Sequence, residues 1–306
     1  MLREATIDDA AAAVQLLSMV QPEWVFSVEG FRHSWANSPP EARRSAWCIE
    51  EGDEVIAWGT TSLMVETSEP GVGGIGIDVH PERRRAGLGS ALIAAAERHA
   101  SEIGVTRLLS FSRGDEASAS FAHSKGYEQT ASNEILVVDP RDVEPPVLPE
   151  GVELKPYTAF VDDPWQIYHV FATSVLDVPG EERFDTIPYE YWLDRFWRHP
   201  SLDRDASTVA LVNGVAAATT RLDTDRASGR GQNNGTGTLP EHRGRGLAML
   251  AKQASLVRAA QLGCTVVYTG NDVTNAPMLA INRKLGYRPH TTELSWGKTL
   301  AATSER

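Results

Sequence analysis

Cysteine is nearly absent. Cys48 and Cys264 are the only two in 306 residues, far apart and without the close spacing of metal ligands. This excludes a disulfide framework and a cysteine-built zinc site, and both read as buried thiols of a reducing compartment. Long apolar runs are missing too: no stretch approaches the roughly 18 consecutive apolar residues of a membrane helix. The opening Met1-Leu2-Arg3-Glu4-Ala5, followed by Asp8-Asp9, lacks the layout of a signal peptide. The expectation is a cytoplasmic protein with no membrane partner and no metal. Positive charge is scarce, 29 Lys and Arg against 41 Asp and Glu, for a net charge of −12. General nucleic-acid binding needs a basic footprint, so that partner is not expected either. Nothing in the sequence fixes an oligomeric state.

What positive charge there is gathers at Arg83 to Arg85 and at Arg243 and Arg245. Before the first group, Ile75, Ile77 and Val79 alternate as in a strand, and Pro81 stops the ladder. After it, Leu88, Leu92, Ala95 and Ala96 fall at helical spacing. A helix start carries unpaired N–H groups and a partial positive charge, and Gly87 and Gly89 let a ligand come close to the backbone. Strand end, basic turn and helix start together form a seat for a phosphate or pyrophosphate. A basic surface turn closed by glycine is the plain alternative for one copy.

The grammar occurs twice. Pro81-Glu82 leads to Arg84-x-x-Gly87-x-Gly89, and Pro240-Glu241 leads to Arg243-x-x-Gly246-x-Ala248. Downstream, one helix ends in Lys125-Gly126-Tyr127 and the other in Lys284-Leu285-Gly286-Tyr287. A period of about 160 residues is the size of a domain, not of a solenoid unit. Pro140, Pro145, Pro146 and Pro149 make a stiff connector, so the expected division is 1–140, a linker over 141–150, and 151–306. Strands are expected at 2–6, 46–51, 54–65, 73–79, 107–112 and 134–138. Helices fill the gaps, including 24–35 and 87–103. The pattern restarts at 152, with a strand over 227–239 and an aromatic-rich insertion over 179–200. Gly71-x-Gly73-x-x-Gly76 fits a dinucleotide fingerprint but precedes a strand instead of following one, and is rejected.

These doubled motifs resemble the Arg/Gln-x-x-Gly-x-Gly/Ala signature of the GCN5-related N-acetyltransferase (GNAT) superfamily, in a tandem plan similar to mycothiol-synthase-like two-domain acetyltransferases. The resemblance covers nearly the whole chain. It implies an α/β (α+β mixed sheet) fold: two tandem domains, each a mostly antiparallel twisted sheet flanked by helices. It implies acetyl-CoA as co-substrate. The pyrophosphate would lie on Arg84, Arg85, Gly87, Leu88, Gly89 and Ser90, and on Arg243, Gly244, Arg245, Gly246, Leu247 and Ala248. Backbone groups of Ile77 and Val79, and of Thr236 and Thr238, would polarise the thioester carbonyl. Asn275, at a helix start, would contact the pantetheine arm or serve as an N-cap; its counterpart is Asp115.

The family's tyrosine acid stands four residues before the glycine of the Gly-Tyr pair, where this chain has Ala122 and Asn282. Neither delivers a proton as a phenol does. Candidate bases are Asp223 and Glu293, with Asp225, Asp78, His80 and Glu66 nearby in the pattern. No nucleophilic serine or cysteine motif appears, so the expected mechanism is direct attack by an amine in a ternary complex. The second half keeps Asn275 and the longer aromatic insertion and is favoured as catalytic. The competing readings are an acyl-CoA-binding sensor or scaffold and a protein acetyltransferase.

Overall fold

The structure, a computed structural model, describes residues 1–52, 54–178 and 185–301. Asp53 of the expected 51–53 turn, and Pro179 and Phe184 of the aromatic insertion, lie outside the described residues.

Along the chain come β1 (Leu2–Glu4), α1 (Ala10–Val20), α2 (Val28–Ala36), β2 (Ser45–Glu51), β3 (Glu54–Leu63), β4 (Val72–Val79), α3 (Leu88–Glu102), β5 (Arg107–Arg113), α4 (Glu116–Ser124) and β6 (Glu128–Val138). The pattern then repeats. It runs through β7 (Val152–Pro156), α5 (Trp165–Ser174), α6 (Tyr189–Trp192), β8 (Thr208–Val212), β9 (Val215–Asp225), β10 (Arg230–Thr238), α7 (Leu247–Gln261), β11 (Val266–Asp272), α8 (Ala276–Lys284) and β12 (Arg288–Thr299). Several bounds differ from expectation, two of them for visible local reasons. The helix expected from 24 begins at Val28, because the Ser27 side chain caps it by accepting from the Gly30 N–H. The strand expected at 134–138 begins at Glu128. The strand expected from 227 begins at Arg230, since Asp225 folds Ala227 and Ser228 into a turn.

Two compact units emerge. One is Met1–Ser132 with the segment from Thr292, and the other is Asn133–Thr291. In the N-terminal unit the strand order is β1-β2-β3-β4-β5-β12, and in the C-terminal unit it is β6-β11-β10-β9-β8-β7. All pairings within each unit are antiparallel except β4 with β5 and β10 with β11. Both sheets are therefore mixed, as the family resemblance implies. The division does not follow a cut at the proline connector. Residues Glu293–Thr299 of β12 complete the N-terminal unit beside Arg113–Arg107 of β5. Residues Asn133–Val138 of β6 complete the C-terminal unit beside Asp272–Val267 of β11. Each unit takes its sixth strand from the other half of the chain.

In the N-terminal unit α1 and α2 cover one face through Leu16, Leu17, Cys48 and Trp58, while α3 covers the other through Leu92, Ile49 and Ala57. In the C-terminal unit α5, α6 and the helical turn Leu193–Trp197 after it bring Ile167, Tyr168, Trp192 and Trp197 to one face. Helix α7 brings Leu247, Leu250 and Ala251 to the other. The described aromatic residues of the insertion thus pack in or against this core. Both cysteines are buried and free, as expected.

Candidate active site

The two basic turns have the same backbone. Arg84 and Arg243 are extended at φ −63° and −66°, and both hold ψ at 160°. Left-handed conformations then fall at Arg85 (φ 67°) and Gly87 (φ 81°) in one, and at Gly244 (φ 75°) and Gly246 (φ 75°) in the other. Alternation of this kind aims successive N–H groups into one concavity that suits an anion. The helices behind offer more donors. The first helical bond of α3 runs from the Ala91 N–H to the Gly87 carbonyl at 3.0 Å, leaving Leu88, Gly89 and Ser90 without helical acceptors. In α7 the Leu250 N–H reaches the Gly246 carbonyl at 3.1 Å, leaving Leu247, Ala248 and Met249. A glycine N-cap has no side chain to compete for those donors. Gly89 has a packing reason as well, because a Cβ there would stand 3.1 Å from Phe121 Cζ.

The arginines differ in employment. Arg84 Nε donates to the Val79 carbonyl at 3.4 Å, and Arg243 Nε to the Thr238 carbonyl at 3.2 Å, so both tie the turn to the strand end. Arg243 also pairs with Asp177 at 2.5 Å, Arg83 with Glu51 at 2.6 Å, and Arg245 with His242 at 3.0 Å. Arg85 is exposed.

Next to each turn the sheet opens. β4 and β5 share only the rungs Val72↔Arg107, Gly73↔Leu108 and Gly74↔Leu109. β10 and β11 share only Arg230↔Val266, Gly231↔Val267 and Gln232↔Tyr268. The His80 N–H points back to the Ile56 carbonyl at 2.8 Å, so by alternation Asp78 also faces β3, while Ile77 and Val79 turn their N–H groups to the open side. The Leu239 N–H points back to the Ala217 carbonyl at 2.9 Å, which turns Thr236 and Thr238 to the open side of β10. Each unit therefore brings an anion seat and a strip of unpaired backbone donors to one seam.

The two expected bases are not brought together. Asp223 is 5% exposed. It is gripped by Arg221 through two bonds of 2.9 Å and by Asn234 Nδ2 at 2.5 Å. Glu293 belongs to the N-terminal unit, in register with Arg113. Asp225 holds the following turn. Asn275 caps α8, its side chain accepting from the Met278 N–H at 3.2 Å, and Asp115 does the same for Ser118 at 2.8 Å. The Gly-Tyr pairs close the helices before them. Gly126 and Gly286 are left-handed, and the Tyr127 and Tyr287 N–H groups reach back to the Ala122 and Asn282 carbonyls at 3.1 Å. Both tyrosines are buried, and the Tyr127 hydroxyl donates to Glu97 at 3.1 Å.

Two buried ionisable groups stand out, Asp78, one of the further candidate bases, and Lys252, which the sequence did not single out. Asp78 is 8% exposed, and burial pushes its carboxyl up to about 6, against a bond from Gln21 Nε2 at 2.7 Å and the charge of Arg84. Just past the end of its strand lies His80, which with Gln15, Leu16, Met19 and Glu54 lines a groove of about 460 Å³. Lys252 on α7 is 1% exposed, and burial alone pulls its amine down to about 7. Its sequence signal was helical: Ala248, Lys252, Ser255 and Ala259 share a face of α7. Among the described residues only Asp9, Cys48 and Glu50 cluster as metal ligands could. Arg3 pairs with both of those carboxylates, and burial pushes the Cys48 thiol up to about 11.

A model of the acetyltransferase (GNAT) family matches residues 12–127 and again 165–287. The chain therefore belongs to that family of acetyl-CoA-dependent N-acetyltransferases, and carries its domain twice. A mycothiol acetyltransferase of Saccharomonospora viridis is 28% identical over 233 residues, covering 72% of this chain and 72% of its own. One from Pseudarthrobacter chlorophenolicus is 25% identical over 256 residues, covering 81% of this chain and 77% of its own. Among solved structures, a tandem GNAT protein from the clavulanic acid biosynthesis pathway has a TM-score of 0.74 at 19% identity, over 100% of this chain and 99% of its own. A GCN5-related N-acetyltransferase from Sphaerobacter thermophilus has a TM-score of 0.72 at 20% identity, over 98% of this chain and 95% of its own. These two likenesses concern the fold.

Proposed function

We propose that the chain moves the acetyl group of acetyl-CoA onto the amine of a small molecule, by direct attack while both are bound. The observation that carries this is the doubled seam, an anion seat beside strand-edge N–H groups without rungs. The pyrophosphate would rest on 84–90 or 243–248, with the thioester carbonyl accepting from Ile77 or Val79, or from Thr236 or Thr238. The amine lone pair attacks that carbonyl, the C–S bond breaks, CoA leaves as thiolate, and the amine's surplus proton goes to a base. The two curated relatives are named for mycothiol, which supports a small acceptor.

Asn275 and the longer insertion support turnover in the C-terminal unit. One observation favours a second reading, turnover in the N-terminal unit. Asp78 is a buried carboxylate between two seam-facing residues, ionised at neutral pH yet basic enough to accept a proton. Its counterpart in β10 is Gly237, where a Cβ would meet Ser174 Oγ at 2.0 Å. With Asp223 engaged by Arg221, the geometry weighs towards Asp78 as base.

The test is calorimetric titration of the full chain with acetyl-CoA, on the wild type, Gly87→Trp and Gly246→Trp, followed by thiol release with a panel of amines. Two sites are expected, one lost in each variant. Loss of turnover in Gly87→Trp and in Asp78→Asn assigns catalysis to the N-terminal unit; loss in Gly246→Trp alone assigns it to the C-terminal unit. Binding without turnover on any small amine overturns the proposal in favour of a sensor or, if a protein becomes acetylated, of a protein-modifying enzyme.

A further inference from the structure

The C-terminal unit contains a buried polar chain that the proposed reaction does not use. Lys252 Nζ on α7 donates to Asn282 Oδ1 on α8 at 2.5 Å, and Asn282 Nδ2 donates to Asn271 Oδ1 on β11 at 2.6 Å. Lys252 is 1% exposed and Asn282 fully buried. The lysine has no acidic partner among the described residues; its other neighbour is the Tyr287 ring, with Nζ 5.1 Å from the centroid. The Tyr287 and Ser255 hydroxyls are buried without partners among the described residues. A lone buried amine costs stability, and the N-terminal unit does without one. The residue six after Gly87 is Ile93, and the residue four before Gly126 is Ala122. At the position of Asn271 it has Ser112, whose Oγ accepts from Trp296 Nε1 at 2.8 Å.

The order of donors fixes the amides. The Asn282 oxygen accepts from the Lys252 amine, so its NH₂, which only donates, turns to Asn271. Asn271 must then turn its oxygen to Asn282. Its own NH₂ is left over, with no partner among the described residues. Asn271 lies on β11 past the last rung with β10, Gln232↔Tyr268, and is only half-buried. Lys252 sits roughly 9 Å along α7 from the Gly246 turn, at 1.5 Å per residue. A molecule with its pyrophosphate on that turn and its arm in the seam carries amide and thioester carbonyls, which are acceptors, past this point.

We propose that Lys252 and Asn282 are positioning residues that aim the Asn271 NH₂ at a carbonyl of the CoA arm, a contact built into the C-terminal seam alone. This rests on the reading of the seam as the site of acetyl-CoA. One such hydrogen bond amounts to about three- to tenfold in Kd.

The experiment is a double-mutant cycle on the full chain carrying Gly87→Trp, which leaves one seat. Acetyl-CoA is titrated calorimetrically into that protein and into its Lys252→Met, Asn271→Leu and doubly substituted forms. Each single change is expected to weaken Kd about three- to tenfold, and the double no more than either. Asn271 is half-buried, so Asn271→Leu remains a decisive variant if Lys252→Met fails to fold. Unchanged affinity in Asn271→Leu, or losses that add, overturns this inference and leaves acetyl-CoA binding standing. Absence of any binding in the parent with the C-terminal seat intact removes the reading of the seam, and this inference with it.

Discussion

Asp78 and Lys252 are both buried against their charge, and they respond to pH in opposite directions. Burial raises Asp78 from 3.8 to about 6. Across that window the folded chain keeps a proton the unfolded chain has released, so stability falls as pH rises, and the cost is complete above about 6. Asp78→Asn should therefore be more stable than the wild type by about 2–3 kcal/mol at pH 7–8 and no more stable near pH 4, by urea denaturation at both pH values. If Asp78 is the base, the same variant loses roughly 10²–10⁴-fold in acetyl transfer. Lys252 runs the other way, from 10.5 down to about 7. Between those values the unfolded chain holds a proton the folded chain has lost, so stability rises with pH, and the cost is complete below about 7. Lys252→Met should gain about 2 kcal/mol near pH 6, after losing its bond to Asn282, and the gain should vanish by about pH 10. A constant difference between wild type and variant over that range would show that the amine stays protonated in the folded chain.

The helix ends of the two units carry the same devices with different residues. Asn275 shows how a cap and a ligand contact can be separated. Asn275→Ala should cost about 1 kcal/mol in thermal or urea denaturation, as loss of an N-cap does. Asn275→Asp should retain the cap, as Asp115 does in α4, yet weaken acetyl-CoA binding in the C-terminal unit by bringing an anion to the arm. If both properties survive in the aspartate variant, Asn275 is a cap and nothing more. Much of this scale was legible in the sequence, because its signals are local. Proline ended β4, the glycines at 87 and 246 supplied the left-handed turn, and Gly126 and Gly286 closed helices. What stayed hidden depends on partners distant in sequence. Asp223 read as a free carboxylate because its grip by Arg221 and Asn234 needs β9 and β10 paired, with a bulge between Asn233 and Gly235. Lys252 drew no attention in the sequence, since only α8 and β11 reveal the chain it anchors.

Over the whole molecule, the exchange of sixth strands makes the halves of the chain and its folding units different objects. Alternation in 134–138 and 293–296 marks both segments as strands, but alternation carries no information about which edge a strand joins. β12 brings the N-terminal unit more than rungs. Trp296 is 1% exposed in the core with Ile93, Leu108 and Tyr127, and donates to Ser112. Lys298 pairs with Glu97 at 2.6 Å and lies 5.2 Å from the centre of the Tyr127 ring. A polypeptide of residues 1–140 lacks all of this and exposes the edge of β5, a template for pairing with another chain. Its own β6 offers Leu136 and Val138 at the corresponding places, smaller and without polar partners for Ser112 or Glu97. Such a half-chain is expected to self-associate or melt well below the intact protein, and a peptide of residues 288–301 added in trans should restore a monomer with raised Tm. Within the full chain, Trp296→Ala should cost about 3–5 kcal/mol and should loosen the N-terminal unit, read by hydrogen exchange along β5 and α4, while β8 and β9 keep their protection. Equal loss of protection in β8 and β9 would mean that the two units unfold as one, and that the exchanged strands fuse them into a single cooperative body.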